Sequence, residues 1–535
     1  MKKSILLLLL IFTLNIFSQK EANIWYFGEN AGLDFNTSPP TALTDGKLNT
    51  LEGCSSFSDS NGDLLFYSDG TTVYNKNHDI MAYTDGSLGN NLLGDPSATQ
   101  SGMIIPKPES TSIYYLFTVT DNNSSDGFNL YTVDMSKDGG NGELIDEDGD
   151  GVFFVQLQGA ANWSEKISAV KGSDCNTYWV VTVNNNVFYS YLVDIDGVQT
   201  TPVTSTVSNN SGERGYLKLS PDGTKLAIAN QSFNNSRNSA ILYDFDNETG
   251  RINNKETFII NGTSSGEAYG VEFSVDSKKL YISTVSRFRE IGEPPVDYKL
   301  FQFDLTATDI PDSSVLIHEQ IGSSPEYPEG GFRGALQLGP DGRIYATIPT
   351  TYGDPSGFAL FLDVIENPTA DAVDIIFTKN AINLAGKKAT QGLPPFISSL
   401  LLPIAITDNM TGEIINNQDL KSCVGEDRTL EPEDIQGANK TYEWFFDNGT
   451  STSLIAQTLK LNLPDLQESN SGIYTLILKL TDDCGNTRQY DGSFNLSVYK
   501  AASAKPTPGA IYFCDVDATV PNIFDFRKSE LSAKS

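Results

Sequence analysis

The side chains able to do chemistry in this chain are overwhelmingly carboxylates. Its 535 residues include 68 Asp and Glu against 36 Lys and Arg, with only two histidines. His78 sits in NKNHD and His318 in LIHEQ, with no nucleophile motif beside either. A Ser-His-Asp triad and a multi-histidine metal centre are therefore not expected. Two acidic groups would suffice for glycoside hydrolysis, but no pair is singled out by its spacing. The most patterned acidic stretch is Asp146-Glu147-Asp148-Gly149-Asp150-Gly151. Asp146, Asp148 and Asp150 alternate as at the start of a calcium loop, where hard oxygens converge on a hard cation. Leu157 stands where an EF-hand loop would carry its twelfth-position Glu, and no flanking helices are expected. The stretch is either a calcium site or a solvated acidic loop.

Whatever positions these groups is built from short strands. Tyr216, Leu217 and Leu219 read as one strand, Ser220-Pro221-Asp222-Gly223 as a tight turn, and Leu226 and Ile228 as the returning strand. Proline presets φ for such a turn, and Gly223 supplies its positive φ. The turn recurs at Ser274-Val275-Asp276-Ser277 and Gly339-Pro340-Asp341-Gly342, with Gly212, Gly266 and Gly331 upstream. A third strand repeats as LYTVD, SYLVD, LYDFD, LFQFD and ALFLD, ending on Asp134, Asp194, Asp246, Asp304 and Asp363. The spacings of about 60, 52, 58 and 59 residues suit four-stranded propeller blades with long loops. The expected fold is all-β: a β-propeller of about seven blades, of the WD40/YVTN kind, followed by an immunoglobulin-like sandwich. Six blades run from about Gly53 to Pro368. The seventh is expected to join NIWYFGENAGLDF (Asn23 to Phe35) with QGLPPFISSLLL (Gln391 to Leu402), closing the ring and leaving no free edge.

Met1-Lys2-Lys3 followed by SILLLLLIFTLNIF has the form of a secretory signal over 1–18. The propeller is expected over 19–403, a sandwich of immunoglobulin or PKD type over 404–500, and a linker with the start of a further module over 501–535. That last segment either docks on its neighbour or fronts a longer protein. Trp444 and the S-G-x-Y segment at Ser471, with Tyr474 as a tyrosine corner, carry the sandwich reading. Cys423 and Cys484 are the expected disulfide, favoured by export. Cys54 and Cys175 are expected to be buried free thiols. A net charge of −32 spread over loops argues against nucleic acid or an anionic membrane as partner.

In a propeller the first strand of each blade lines the channel. The residues just before those strands are Lys166, Glu213 and Arg214, Glu267, Phe332 and Arg333, and Gln391. They form either a mouth that binds a glycan or a peptide, or a ring of salt bridges that satisfies the channel.

NIWYFGENAGLDF, FSDSNGDLLFYSDG, EKISAVK and QGLPPF together resemble a family of exported Bacteroidetes, especially flavobacterial, proteins. In that family an N-terminal propeller precedes immunoglobulin- or PKD-like modules. The chain then ends in a C-terminal sorting domain of the type IX secretion system, associated with gliding motility. CDVDATVPNIFDF resembles the opening of a further module, and the sorting domain itself is not found in this sequence. The resemblance implies a secreted or cell-surface protein, handled by that machinery if a longer parent carries the sorting domain. The functional expectation is a non-enzymatic binding or adhesion module for an extracellular glycan or protein. A carbohydrate-active hydrolase using paired carboxylates is the alternative, and a structural spacer a third.

Overall fold

The computed structural model describes residues 16–17, 20–121, 124–147, 149–159, 163–174, 176–208, 214–231, 239–258, 266–286, 297–322, 330–401, 404–415, 419–435, 437–481, 485, 487–500, 511–512 and 523–524. The chain divides into two compact units, Gln19–Leu402 and a second comprising Met1–Ser18 with Pro403–Ser535.

The first unit is all-β and propeller-like. Among the described residues it holds seven sheets, numbered here in chain order. Sheet one begins with Ile24–Phe27 and sheet two with Ser55–Ser58. The first inner strands of sheets three and four are Gly102–Pro106 and Ile167–Lys171. Sheets five, six and seven start at Leu217–Leu219, Gly266–Phe273 and Leu336–Leu338. From sheet one to sheet seven each of these strands packs on that of the next sheet, so the sheets follow one another around an axis. The ring closes where Trp25 and Phe35 of the first sheet's hairpin and its following residue meet Tyr345 of sheet seven edge-on, at centroid distances of 5.5 and 5.2 Å. Strand alternation explains the burial: inner strands such as Leu217–Leu219 are buried on both faces, as expected of strands packed between neighbouring sheets.

The hairpin around Ser220 forms as its sequence dictates. Gly223 takes φ 70°, its N–H reaches the Ser220 carbonyl at 2.9 Å, and the Ser220 hydroxyl donates to Asp222 at 2.6 Å. Three expectations need correction. Sheets one and two have three strands, not four. The strand of ALFLD runs Phe361–Ile365, past Asp363 rather than ending on it. And Gln391–Leu402 adds no strand to sheet one; its described part ends in a 3-10 turn, Ser398–Leu401.

That C-terminal run instead fills the axis. Gln391 donates its N–H to the Leu51 carbonyl and accepts from Ala335, while Ile397 bridges Ala169 in parallel. Phe396 packs against Trp25 at 5.7 Å. Leu393 and Phe396 belong to the hydrophobic cluster of sheets one, five, six and seven, and Ile397 and Leu400 to that of sheets two to four. A segment touching opposite sides of the ring within a few residues must run along its centre. Two prolines explain why it cannot enter a ladder: Pro394 and Pro395 have no N–H to donate. Glu29 bridges Lys388 in the chain path leading to this run, beside the contacts of Tyr345 with Trp25 and Phe35.

In the second unit two sheets share one core. Ile406, Leu430 and Leu461 of one sheet pack with Trp444, Tyr474, Leu476 and Phe494 of the other. Gly472–Thr481 alternates buried and half-buried positions, and the Tyr474 hydroxyl donates to the Asn470 carbonyl at 2.9 Å. Arg428 pairs with the fully buried Asp408 at 2.7 Å. Cys423 is disulfide-bonded, and Cys484 lies outside the described residues. Cys54 is a buried free thiol, while Cys175 is not among the described residues. Of residues 1–18 only Ile16–Phe17 is described, pairing in parallel with Thr487 and Arg488.

Candidate functional site

One end of the axis carries a buried network of charged and polar side chains drawn from several sheets. Arg333, leading into the inner strand of sheet seven, is its centre. It donates to Glu52 Oε1 at 2.7 Å, to Gln391 Oε1 at 2.6 Å and, through Nη1, to Gln231 Oε1. Its guanidinium lies 4.7 Å from the centroid of the Tyr269 ring, a cation–π geometry strengthened by exclusion of water. Gln231 passes the network on to Glu267 at 2.8 Å, and the Tyr269 hydroxyl donates to Glu52 Oε2 at 2.8 Å.

Beside Glu52 stands a second carboxylate, Glu165, and both are 1% exposed. The Thr99 hydroxyl reaches Glu165 Oε2 at 2.8 Å and Glu52 Oε2 at 3.4 Å. Arg214 approaches Glu165 Oε1 at 3.4 Å with a side chain 22% exposed. Burial and the neighbouring Glu52 charge together push the Glu165 carboxyl up to about 7, against the pull of Arg214, Thr99 and Arg333. Burial, followed by the Glu52 charge, likewise holds the Tyr269 phenol far above its ordinary range. Each carboxyl group thus has its own guanidinium, Arg333 on Glu52 and Arg214 on Glu165, and burial beside Glu52 moves Glu165 toward neutrality.

Among the residues expected at the mouth, the structure brings Lys166, Arg214, Glu267, Phe332, Arg333 and Gln391 to this end of the axis. Glu213 lies outside the described residues. They are less open than the sequence suggested. Lys166 is buried with Nζ on the Arg214 carbonyl at 2.6 Å; Glu267, Phe332, Arg333 and Gln391 are all buried. Neighbouring side chains and the axial segment bury these groups, which hydrogen-bond to one another. Sequence reasoning missed Glu52, Thr99, Glu165 and Tyr269. Glu165 adjoins Lys166 in EKISAVK, but nothing local marks Glu52 as its neighbour.

The acidic stretch behaves as a loop in its described part. The two Asp146 carboxylate oxygens accept the N–H groups of Gly149 and Gly151 at 2.8 and 2.7 Å, and Asp150 accepts Val152 at 2.8 Å. Asp148 lies outside the described residues, and among those described no group of three or more His, Cys, Asp or Glu is placed to hold a metal. His78 bonds the Tyr67 hydroxyl at 3.0 Å, and His318 stacks on Phe377 at 4.2 Å, both in structural roles.

No protein-family model and no curated protein matches the chain. Solved structures do. The extracellular domain of a proposed one-component system from B. thetaiotaomicron is similar at 12% identity and a TM-score of 0.34, over 89% of this chain and 56% of that one. The chain thus spans little more than half of that domain's length. A proposed 6-phosphogluconolactonase from Bacteroides uniformis is similar at 12% identity and TM-score 0.39, over 69% of this chain and 98% of that one. An exo-beta-1,3-galactanase from Phanerochaete chrysosporium is similar at 11% identity and TM-score 0.30, over 78% and 92% of the two chains. Glycoside hydrolases stand among the similar structures. The expectation of a module without catalytic groups is corrected by the axis itself, which holds a buried carboxyl pair, Glu52 and Glu165, that the sequence did not reveal.

Proposed function

We propose that the propeller-like unit is a carbohydrate-active module that hydrolyses a glycosidic bond with Glu165 and Glu52. The observation that carries this reading is the pair itself. A single hydroxyl, Thr99 Oγ, spans both carboxyl groups through contacts of 2.8 and 3.4 Å. Both contacts are made to Oε2 atoms, so the two carboxyl groups face one another across Thr99, and the stereochemistry of the released sugar distinguishes double from single displacement. Glu165, protonated near neutral pH, donates its proton to the leaving oxygen. Glu52, clamped by Arg333 and Tyr269, presents the carboxylate that attacks or stabilises the sugar carbon. Substrate enters past Arg214 and the exposed Tyr352, whose ring lies 5.6 Å from the Arg333 guanidinium. Release of reducing sugar from a glycan panel, compared between the wild-type chain and Glu165→Gln, tests it: turnover independent of Glu165 rejects the assignment.

A second reading is favoured by the filled axis and the near-complete burial of both carboxylates. In it the rim around Arg214 and Tyr352 retains a glycan or protein ligand. Glycan-array retention that survives Glu165→Gln and is lost in Arg214→Ala supports that reading. We further propose that the chain acts outside the cell or at its surface, and that its second unit is immunoglobulin-like. The buried Trp444 and the Tyr474–Asn470 corner support the latter.

A further inference from the structure

Four of the five repeated strand-end aspartates close the turn that follows them. Asp134, Asp194, Asp246 and Asp304 each accept the backbone N–H two residues on, at 2.9, 2.9, 3.0 and 2.9 Å. Asp363 matches them in sequence and departs from them in structure. Its strand continues, and the ladder to Phe377–Asn383 slips between Leu362 and Val364. A bulge of this kind re-aims a side chain, and bulges concentrate beside functional sites. Asp363 Oδ1 accepts the N–H of Asn380 at 2.7 Å, and Asn380 itself is held at φ 51°, an uncommon conformation inside a strand.

The re-aimed carboxyl is only 8% exposed and lines a cleft of about 370 Å³. Gln320 of sheet six, Thr350 and Ser356 of a loop, and Phe361 and Lys379 of sheet seven complete the wall. Burial pushes Asp363 up to about 6, against the Asn380 N–H and the Lys379 charge. A buried carboxyl at a cleft wall, already met by one backbone N–H, gains from each further donor that a ligand brings to its acceptor sites.

We propose that this cleft is a ligand site separate from the Glu52–Glu165 pair, taking a single neutral sugar ring whose hydroxyls donate to Asp363. The chemistry of the wall selects that class. Asp363 disfavours an anion, and Lys379 on the same wall disfavours a cation. Carboxylate, amide, hydroxyls and ammonium together offer both acceptors and donors, which vicinal hydroxyls match. Phe361 and Leu360 offer apolar surface for the C–H face of a ring. The volume sits at the low end of small-ligand pockets, which suits one ring. The proposal goes beyond the hydrolase reading and does not depend on it.

Calorimetric titration of the full chain with D-xylose, D-galactose and D-glucose at millimolar concentrations tests it. One of the three is expected to give saturable binding. Asp363→Asn is expected to weaken it about tenfold or more, the scale of a hydrogen bond to a charged group, and Glu165→Gln to leave it unchanged. Where Asp363→Asn does not fold, Lys379→Met carries the test and is expected to weaken binding as well. No binding of any of the three sugars overturns the proposal. So does affinity unchanged by the cleft variants, or affinity lost in Glu165→Gln and kept in Asp363→Asn, which places the ring at the axis.

Discussion

Replacing Arg333 by Met should strip the axial network of its only fully buried cation among the described residues in contact with Glu52 while keeping most of the side-chain volume. Arg333 and Glu52 are 7% and 1% exposed at their side chains, so neither ion regains water when the other is removed. An uncompensated buried charge of this kind costs about 3–5 kcal/mol. Spread over the unfolding entropy of a unit as large as Gln19–Leu402, that is a fall in Tm of roughly 4–6 °C. The Gln391 and Gln231 side chains lose their donor as well, so the axial segment should also loosen. The assay is differential scanning calorimetry of the wild type, Arg333→Met, Glu52→Gln and the double variant. Because the double variant leaves no unpaired charge, it should recover more than half of the loss. A single variant that melts with the wild type, or a double variant whose losses simply add, refutes the claim that this ion pair is water-excluded and mutually dependent.

The raised Glu165 carboxyl sets a pH dependence. Folding keeps that proton longer than the unfolded chain does, so its contribution is fully present below pH 4.5 and is lost as pH rises toward about 7. The groups facing it are Glu52, Arg214, Arg333 and Thr99, and Glu165→Gln should flatten the stability profile over that window in denaturant titrations. Gly392→Ala should fail to fold or lose more than ~4 kcal/mol, since a Cβ there would lie 1.5 Å from the Glu52 carbonyl oxygen, a backbone atom. Circular dichroism and melting check this. Tyr474→Phe removes the hydroxyl bond to Asn470 and should cost about 1 kcal/mol in the unfolding of the second unit while leaving the first unit's transition in place.

Much of the fold is legible because its determinants are local. The Ser220–Gly223 turn and strand ends at Asp134, Asp194, Asp246 and Asp304 are specified by neighbouring residues and fall where the pattern puts them. Asp363 shows the limit: the same five-residue pattern sits on a bulged strand, and only its partner strand decides that register. The axial path of QGLPPF was equally hidden. Its apolar residues and prolines fit a sheet edge as well as a filled channel, until Trp25, Ala169 and Leu51 are seen around it. The site was half visible. Of the positions named from the repeat, Lys166, Arg214, Glu267, Phe332 and Arg333 lie near one end of the axis, and their burial depends on the axial segment. Glu52 and Glu165 lie more than a hundred residues apart, and no motif links them.

Hydrolysis of a glycan panel by the wild type, Glu165→Gln and Glu52→Gln tests the central proposal most directly. The account predicts turnover by the wild type that falls as pH rises through about 7, and a loss of about 100-fold or more in either variant with melting temperatures showing a folded protein. Absence of turnover on every glycan, or turnover that both variants retain, contradicts it.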